Sequence, residues 1–360
     1  MKILFIAPLP PPITGQSLAV EVAKKHLEQK NNITVINLVK DTFENGADSF
    51  GRVIEIFSIL KNVARNKKGK DVIYFTIAES IAGNLKDLFI YLICYRQLSK
   101  IIIHLHGGAG MRVILGKKNI LCFVNIFFLK RLKNIIVLGE SQRNIFPFVN
   151  QAKVHVVPNF AQNELYISNA DFEQKYRDLD TLQISYISNL IPGKGYKELF
   201  QALENLPLYA KKKINVTFAG GFETEKDKLR FLEDIKHVDN IDYVGIVHGE
   251  MKKQLFHRTH IFCLPTYYAY EGQPISIIEA YASGCAVLTT NHSGIIDIFK
   301  NKVNGFLVDK MSVTSIQNAL MQIIECPEVL KSIALTNYKE AEAKYRIDIY
   351  NKRLHDILTN

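Results

Sequence analysis

The fold of this 360-residue chain is constrained above all by an alternation of short apolar, β-branched runs with helical patterns, a series that is run through twice. Alternation of this kind builds parallel sheets through βαβ crossovers. The first series places strands over 2–7, 33–38, 72–76, 100–104, 134–138 and 154–157, and the second over 183–187, 215–219, 241–244, 261–264 and 286–290. A polar, irregular stretch over 161–180 separates them and reads as a linker. A chain of this length exceeds one ordinary core. The expectation is an α/β protein of two Rossmann-like, doubly wound domains facing across a cleft. Their bounds are 1–165 and 182–340, with a linker at 166–181 and a C-terminal helix at 341–360 packing back on the first domain. Open sheets bind ligands beyond the carboxyl ends of their strands, so function is sought in the loops that follow strands.

Composition narrows the partners. Hydrophobic residues make up 48% of the chain, which fits a globular protein, and no apolar run reaches the roughly 18 residues that a spanning helix needs. The start, Met1-Lys-Ile-Leu-Phe-Ile-Ala-Pro8, reads as a first strand with no signal-peptide cleavage site. A cytoplasmic protein is expected. The cysteines Cys94, Cys122, Cys263, Cys285 and Cys326 lie in apolar surroundings without CxxC spacing, which points to buried thiols and away from a disulfide framework or a zinc site. The net charge of +10 is uneven, since residues 51–150 hold sixteen Lys plus Arg against five Asp plus Glu, a difference of +11 that leaves −1 for the rest. A basic first domain attracts anionic partners such as phospholipid or a diphosphate-bearing substrate. Nucleic acid is disfavoured, because no recognised module or basic-aromatic motif accompanies the charge.

The loops after strands carry the candidate residues. Pro8 to Ser17 lacks the GxGxxG of a dinucleotide site; instead its prolines stiffen the chain and Gly15 opens a helix. In Ile103-His104-Leu105-His106-Gly107-Gly108 the two histidines share one side of a persisting strand, and the glycines allow close approach of backbone or ligand. A neutral His106 imidazole bonded to a hydroxyl is the economical reading, because no third metal ligand stands at a recognisable spacing. Ser188-Asn189-Leu-Ile-Pro-Gly-Lys194-Gly195 sets Lys194 at a glycine-flanked helix start, suited to phosphate charge. The segment from Tyr243 to His248 reads as a strand end whose backbone can pair with a flat base. Asp178-Leu-Asp180 spells DxD, but in the linker and not at a strand end, so no metal is expected there.

The richest segment is Glu271-Gly272-Gln273-Pro274-Ile275-Ser-Ile-Ile-Glu279, followed by Ala-Tyr-Ala-Ser-Gly284. Pro274 suits a first helical position and Gly284 the residue past the end. Free N–H groups and the helix dipole then face whatever lies beside Glu271 and Gly272, an arrangement that binds phosphate. Glu279 follows Pro274 by five residues, roughly 7 to 8 Å along the axis. That separation matches the distance from a diphosphate to a ribose.

Taken together, the loop to Gly15, His106-Gly107, Val157-Pro158-Asn159, Lys194-Gly195, Leu264-Pro265-Thr266 and the E-x7-E motif from Glu271 to Glu279 resemble a retaining glycosyltransferase of family 4, with the two-domain GT-B architecture. The resemblance implies that Glu271 binds the donor hexose, that backbone N–H groups over Gly272, Gln273, Pro274 and Ile275 hold sugar and phosphate, and that Glu279 binds ribose. Lys194 would neutralise the diphosphate, His106 would contact the sugar near the reacting carbon, and Gly15 would lie against phosphates and acceptor. No cofactor or metal is implied; the donor is a nucleotide-diphosphate sugar, a UDP-sugar before a GDP-sugar. The chain departs from the family at Asn189, where arginine is frequent, so a second positive charge must come from Arg112 or from helix dipoles. Gln273 replaces a commoner apolar residue and is expected to add a hydrogen bond to the sugar or backbone.

The acceptor falls to the first domain. Lys117-Lys118 and Lys130-Arg131-Leu-Lys133 bracket an apolar run, and 52–70 adds another apolar-basic stretch. Such segments suit shallow attachment at an anionic membrane surface, with a lipid-linked or polysaccharide acceptor as companion. The expected activity is hexosyl transfer in capsule, O-antigen or exopolysaccharide synthesis, peripheral on the inner face of the plasma membrane. The alternatives are a nucleotide-sugar 2-epimerase on the same architecture and a catalytically weak membrane-bound assembly subunit.

Overall fold

The computed structural model describes residues 1–11, 14–39 and 49–359. The chain divides into two compact units, Met1–Asn159 with Asp348–Asn360, and Phe160–Ile347. The first unit runs β1 (Lys2–Ala7), α1 (Gly15–Glu28), β2 (Asn32–Asn37), α2 (Ser49–Asn66), β3 (Val72–Thr76), α3 (Ile81–Ile93), β4 (Ile101–Leu105), α4 (Ala109–Gly116), α5 (Ile120–Leu129), β5 (Asn134–Val137), α6 (Glu140–Arg143) and β6 (Val154–Val156). The second runs α7 (Asn169–Lys175), β7 (Leu182–Ile187), α8 (Tyr196–Glu204), α9 (Leu208–Lys211), β8 (Ile214–Ala219), α10 (Glu225–Ile235), β9 (Ile241–Tyr243), α11 (Gly249–Arg258), β10 (Ile261–Leu264), α12 (Ile275–Ala282), β11 (Ala286–Thr290), β12 (Gly305–Val308), α13 (Val313–Glu325) and α14 (Val329–Lys344). The last helix, α15 (Ile347–Thr359), belongs almost wholly to the first unit.

Each unit is built on one six-stranded sheet, ordered β2-β1-β3-β4-β5-β6 in the first and β12-β11-β10-β7-β8-β9 in the second. Every pairing is parallel. Parallel strands covered by helices on both faces need continuous apolar runs. All residues of β3, β4, β10 and β11 are buried accordingly. Chain order reverses between β1 and β3 in one sheet and between β7 and β10 in the other. At such a point the loops leaving two neighbouring strands diverge and open a crevice.

Four features differ from the sequence reading, each for a local reason. The stretch read as a linker contributes Leu165, Ile167, Phe172 and Tyr176 to the core of the second unit; these apolar positions are widely spaced among polar ones, which hides their periodicity. Strand β12 escaped notice because it is four residues long and opens on Gly305. That glycine has φ +149°, and a Cβ there would stand 1.8 Å from the Val287 carbonyl oxygen, so pairing with β11 requires it. The C-terminal helical stretch is two helices, α14 and α15, and within the first unit Tyr350 of α15 donates its hydroxyl to the Ala19 carbonyl at 3.4 Å. Cys326, read as a buried thiol with the other four, is exposed at the end of α13.

Helix α12 ends as expected, with Gly284 at φ +61° beyond it. A Cβ at Gly284 would also approach Phe172 Cδ2 to 2.7 Å. Gly284→Ala should therefore destabilise the second unit by about 1–3 kcal/mol, read as a lower urea midpoint. An unchanged midpoint would show that the left-handed residue is not needed there.

Candidate functional site

The reversal in the second unit puts the loops after β7 and β10 side by side. The loop after β7 passes through Gly193 at φ +87° and Gly195 at φ +81°. No side chain fits at Gly195, where a Cβ would come within 2.2 Å of the Pro265 carbonyl oxygen. The Gly193 carbonyl accepts the Tyr267 N–H at 2.7 Å and the Thr266 hydroxyl at 3.3 Å, and so ties this loop to the one after β10. Tyr186 donates its hydroxyl to the carbonyls of Asn189 at 3.0 Å and Lys194 at 3.5 Å, holding the loop from below.

Lys194 and Glu271 meet at this junction. Lys194 Nζ lies 2.7 Å from Glu271 Oε2, with the two side chains only 14% and 8% exposed. The Thr266 hydroxyl donates to the same carboxylate oxygen at 3.0 Å. Lys194 Nζ also sits 5.2 Å from the Tyr268 ring centroid. Burial, with Glu271 nearby as a second cause, pushes the Tyr268 phenol above its ordinary range. An ion pair so little solvated depends on both partners, since loss of one leaves an uncompensated charge.

Behind the pair the backbone is braced. His292 donates through Nε2 to the Tyr268 carbonyl at 2.8 Å, and the Ser293 hydroxyl bonds the Glu271 carbonyl. Gly294 N–H donates to the Gly272 carbonyl at 3.1 Å, and a Cβ at Gly294 would lie 2.7 Å from that oxygen. Gln273, Pro274 and Ile275 are buried. Pro274 takes the N-cap position, one residue earlier than the first helical position expected, and no side chain caps α12. First-turn N–H groups without such a cap suit an anion. Glu279, within α12, pairs with Lys252 of α11 at 2.6 Å, side chains 2% and 19% exposed. Lys252 was not found from the sequence, where Lys252-Lys253 reads as an ordinary solvated helix face. Asn189 is exposed.

Beyond β8 and β9 lies a pocket of about 440 Å³ lined by Gly221, Phe222, Glu223, Lys228, Tyr243, Gly245 and Ile246 among others. The Tyr243 hydroxyl donates to the Gly220 carbonyl at 2.8 Å and fixes one wall. Asp178 and Asp180, by contrast, form a turn before β7 in which the Asp178 carboxylate accepts the Asp180 N–H at 2.8 Å.

In the first unit, Gly15 is the exposed first residue of α1, capped by Thr14, whose hydroxyl accepts from Ser17 N–H. Pro12 and Ile13 of the same loop lie outside the described residues. His104 and His106 are buried at the end of β4 with ring centroids 4.0 Å apart. His104 Nδ1 bonds the Tyr74 hydroxyl at 2.7 Å, while Nε2 of each histidine is buried with no hydrogen-bond partner among the described residues. Burial pushes the His106 imidazole down to about 3 and His104 well below its ordinary range. Glu79, after β3, was missed: its Oε2 accepts the Gly110 N–H at 2.7 Å at the start of α4. A Cβ at Gly107 would strike the Glu79 side chain at 2.8 Å. Arg112, expected as a second cation, is exposed and donates to the Ser141 carbonyl at 3.2 Å.

Neutral buried histidines make stability depend on pH. Their folded values lie below the unfolded value of about 6.5, so the unfolded chain binds more protons in acid. Their contribution is fully present above that value and is lost as pH falls from about 6.5 toward 3. His106→Gln should flatten the decline of the urea midpoint between roughly pH 7 and 4.5; an unaltered slope would show that His106 does not resist protonation.

Residues 168–340 match the family described as "Glycosyl transferases group 1". The chain is 27% identical over 236 residues to the capsular polysaccharide biosynthesis glycosyltransferase CapM of Staphylococcus aureus, covering 62% of this chain and 60% of that one. It is 27% identical over 257 residues to a sucrose synthase of Melioribacter roseus, covering 64% of this chain and 32% of that one. The chain thus spans less than two thirds of the length of these relatives. The solved structure of Anabaena Alr3699/HepE in complex with UDP and glucose superposes with a TM-score of 0.71 at 18% identity, covering all of both chains. Residues 168–340, which hold Lys194, Glu271 and Glu279, match the group 1 glycosyltransferase family, and the chain as a whole has the fold of the GT-B structures on which it superposes.

Proposed function

We propose that this chain is a retaining glycosyltransferase that moves a hexose from a nucleotide-diphosphate sugar, a UDP-sugar before a GDP-sugar, to a lipid-linked or glycan acceptor of a bacterial surface polysaccharide. The observation that carries the reading is the little-solvated Lys194–Glu271 pair at the reversal of β7 and β10. The capsular relative supports the polysaccharide product, and the HepE complex supports UDP in the donor.

In this reading the uncapped start of α12, over Gly272 to Ile275, receives the diphosphate, and Glu271 receives hexose hydroxyls. Glu279 takes the ribose and shares Lys252 with it. The base lies in the pocket between Gly221 and Tyr243. Gln273 adds a hydrogen bond at the sugar end. His106 and Gly15 serve the sugar and the acceptor from the first unit. Asn189 leaves Lys194 as the one cation in the loop after β7.

The chemistry then needs no enzyme nucleophile. An acceptor hydroxyl attacks the anomeric carbon on the face that the diphosphate leaves; the C–O bond to phosphate breaks, and the leaving oxygen takes the acceptor proton. Charge accumulates on the diphosphate as that bond lengthens. Lys194 and the α12 N–H groups act on this charge and therefore on the transition state. Glu271 and Glu279 work as binding carboxylates, each paired with a lysine, and not as an acid/base couple. Work at an anionic acceptor lipid would place the protein at the inner face of the plasma membrane, and no helix among the described residues is long and apolar enough to cross it.

Two measurements test this. A thermal-shift screen against UDP-, GDP- and ADP-sugars should single out the donor, because a ligand at about 100 times its Kd stabilises by roughly 2.7 kcal/mol; silence with all three would overturn the donor assignment. Lys194→Ala and Glu271→Ala should each lower kcat/KM by about 100-fold or more while circular dichroism stays that of the parent. Full activity in either would remove that residue from the site.

A further inference from the structure

We propose that the outer faces of α3 and α5 together form the surface by which the first unit seats on an anionic lipid bilayer. This rests on the reading of the chain as a transferase acting on a membrane-borne acceptor, but it names a surface which that reading does not require.

Helix α3 carries apolar residues on both sides, with Asn84 and Asp87 also buried on the inner one. Its inner side buries Ile90 and Tyr91 against the sheet. Its outer side carries Ile81, Leu85, Phe89 and Leu92, between 47% and 58% exposed. The spacing i, i+4, i+8, i+11 lays these four along one stripe. Burying such a stripe contributes nothing until something covers it. On α5, Ile120, Phe123 and Phe127 repeat the pattern at 77%, 62% and 40% exposure.

The two stripes are neighbours. Asn84 of α3 and Asn125 of α5 exchange side-chain amide hydrogen bonds at 2.9 Å beneath them. Tyr95, just past α3, stacks on Phe127 with ring centroids 6.5 Å apart. The Arg131 guanidinium lies 3.6 Å from the centroid of the same Phe127 ring. The result is one apolar patch with cations at its rim, Lys117 and Lys118 ahead of α5, Lys130 and Arg131 behind it, and Arg96 beside Tyr95.

Charge identifies the occupant. Residues 81–133 hold nine Lys plus Arg and a single acid, Asp87. Asp87 is buried and paired with Lys86 at 3.0 Å. Among the described residues, none of the other eight cations has a carboxylate partner. A second copy of the chain would bring a like-charged rim against this one, which opposes docking. A bilayer of anionic lipid offers what both parts of the patch lack, acyl boundary for the exposed rings and phosphate-level charge for the rim. Sequence reading found the basic α5 segment but not α3, whose outer stripe looks like core until the sheet is seen to cover only its other side.

The test is flotation of the full chain with phosphatidylcholine vesicles, with or without about one third phosphatidylglycerol. The wild-type chain should float with the anionic vesicles and stay behind with neutral ones. Phe89→Glu/Phe123→Glu, at two exposed positions outside the donor site, should lower the vesicle partition coefficient by about tenfold or more. Its thermal shift with the donor nucleotide sugar should equal that of the parent, which separates loss of the surface from loss of the proposed activity. Unchanged flotation of the double variant overturns the assignment, as does a wild-type chain that ignores anionic vesicles. Sedimentation as a dimer that the double variant dissociates also overturns it, by making a second copy the occupant.

Discussion

The central strands of both sheets, β3 and β4 in one and β10 and β11 in the other, are buried on both faces, and that fact governs where the chemistry can be. A parallel sheet under helices on each side has no room for an unpaired charge within its strands. Polar groups are pushed to the strand ends, and among strand ends only a reversal of chain order parts two adjacent loops. In the second unit the reversal lies between β7 and β10. Lys194 follows one of these strands and Glu271 the other, so residues 77 apart in sequence reach 2.7 Å.

Such a pair is costly to hold. Removing an ammonium and a carboxylate from water costs several kcal/mol per ion, which their attraction offsets only when geometry and further hydrogen bonds are good. Here Thr266 supplies the further bond, and the bonds from His292, Ser293 and Gly294 fix the backbone on either side of Glu271. The arrangement stabilises the fold little, yet it holds the Lys194 side chain oriented beside an uncapped helix start. In the proposed reaction that is the useful state, because groups already aimed at the leaving diphosphate need no reorganisation when charge appears.

Much of this was legible in the sequence. Eleven of the twelve strands were found, because buried parallel strands read as unbroken apolar runs, and Glu271, Glu279 and Lys194 stood out through glycine and proline punctuation. What escaped lacks such a signature. Lys252 and Glu79 matter through partners far away in sequence, at 27 and 31 residues' separation for their bonds to Glu279 and Gly110. The core side chains of the supposed linker were hidden by sparse spacing. The outer stripe of α3 was hidden by the opposite effect, since apolar residues on every side of a helix do not say which side stays uncovered.

The glycines around Lys194 have a structural reason that the motif does not show. Gly-Lys-Gly at a helix start suggests a loop kept small for phosphate. In the fold, Gly195 is small because the Pro265 carbonyl occupies the place of its Cβ, and Gly193 because the Tyr268 backbone stands 3.1 Å from where its own would be. The glycines admit the neighbouring loop before any ligand. By letting two backbones touch, they fix the span that Lys194 must cross to Glu271, so the same two residues set both the shape of the crevice and the position of its charge.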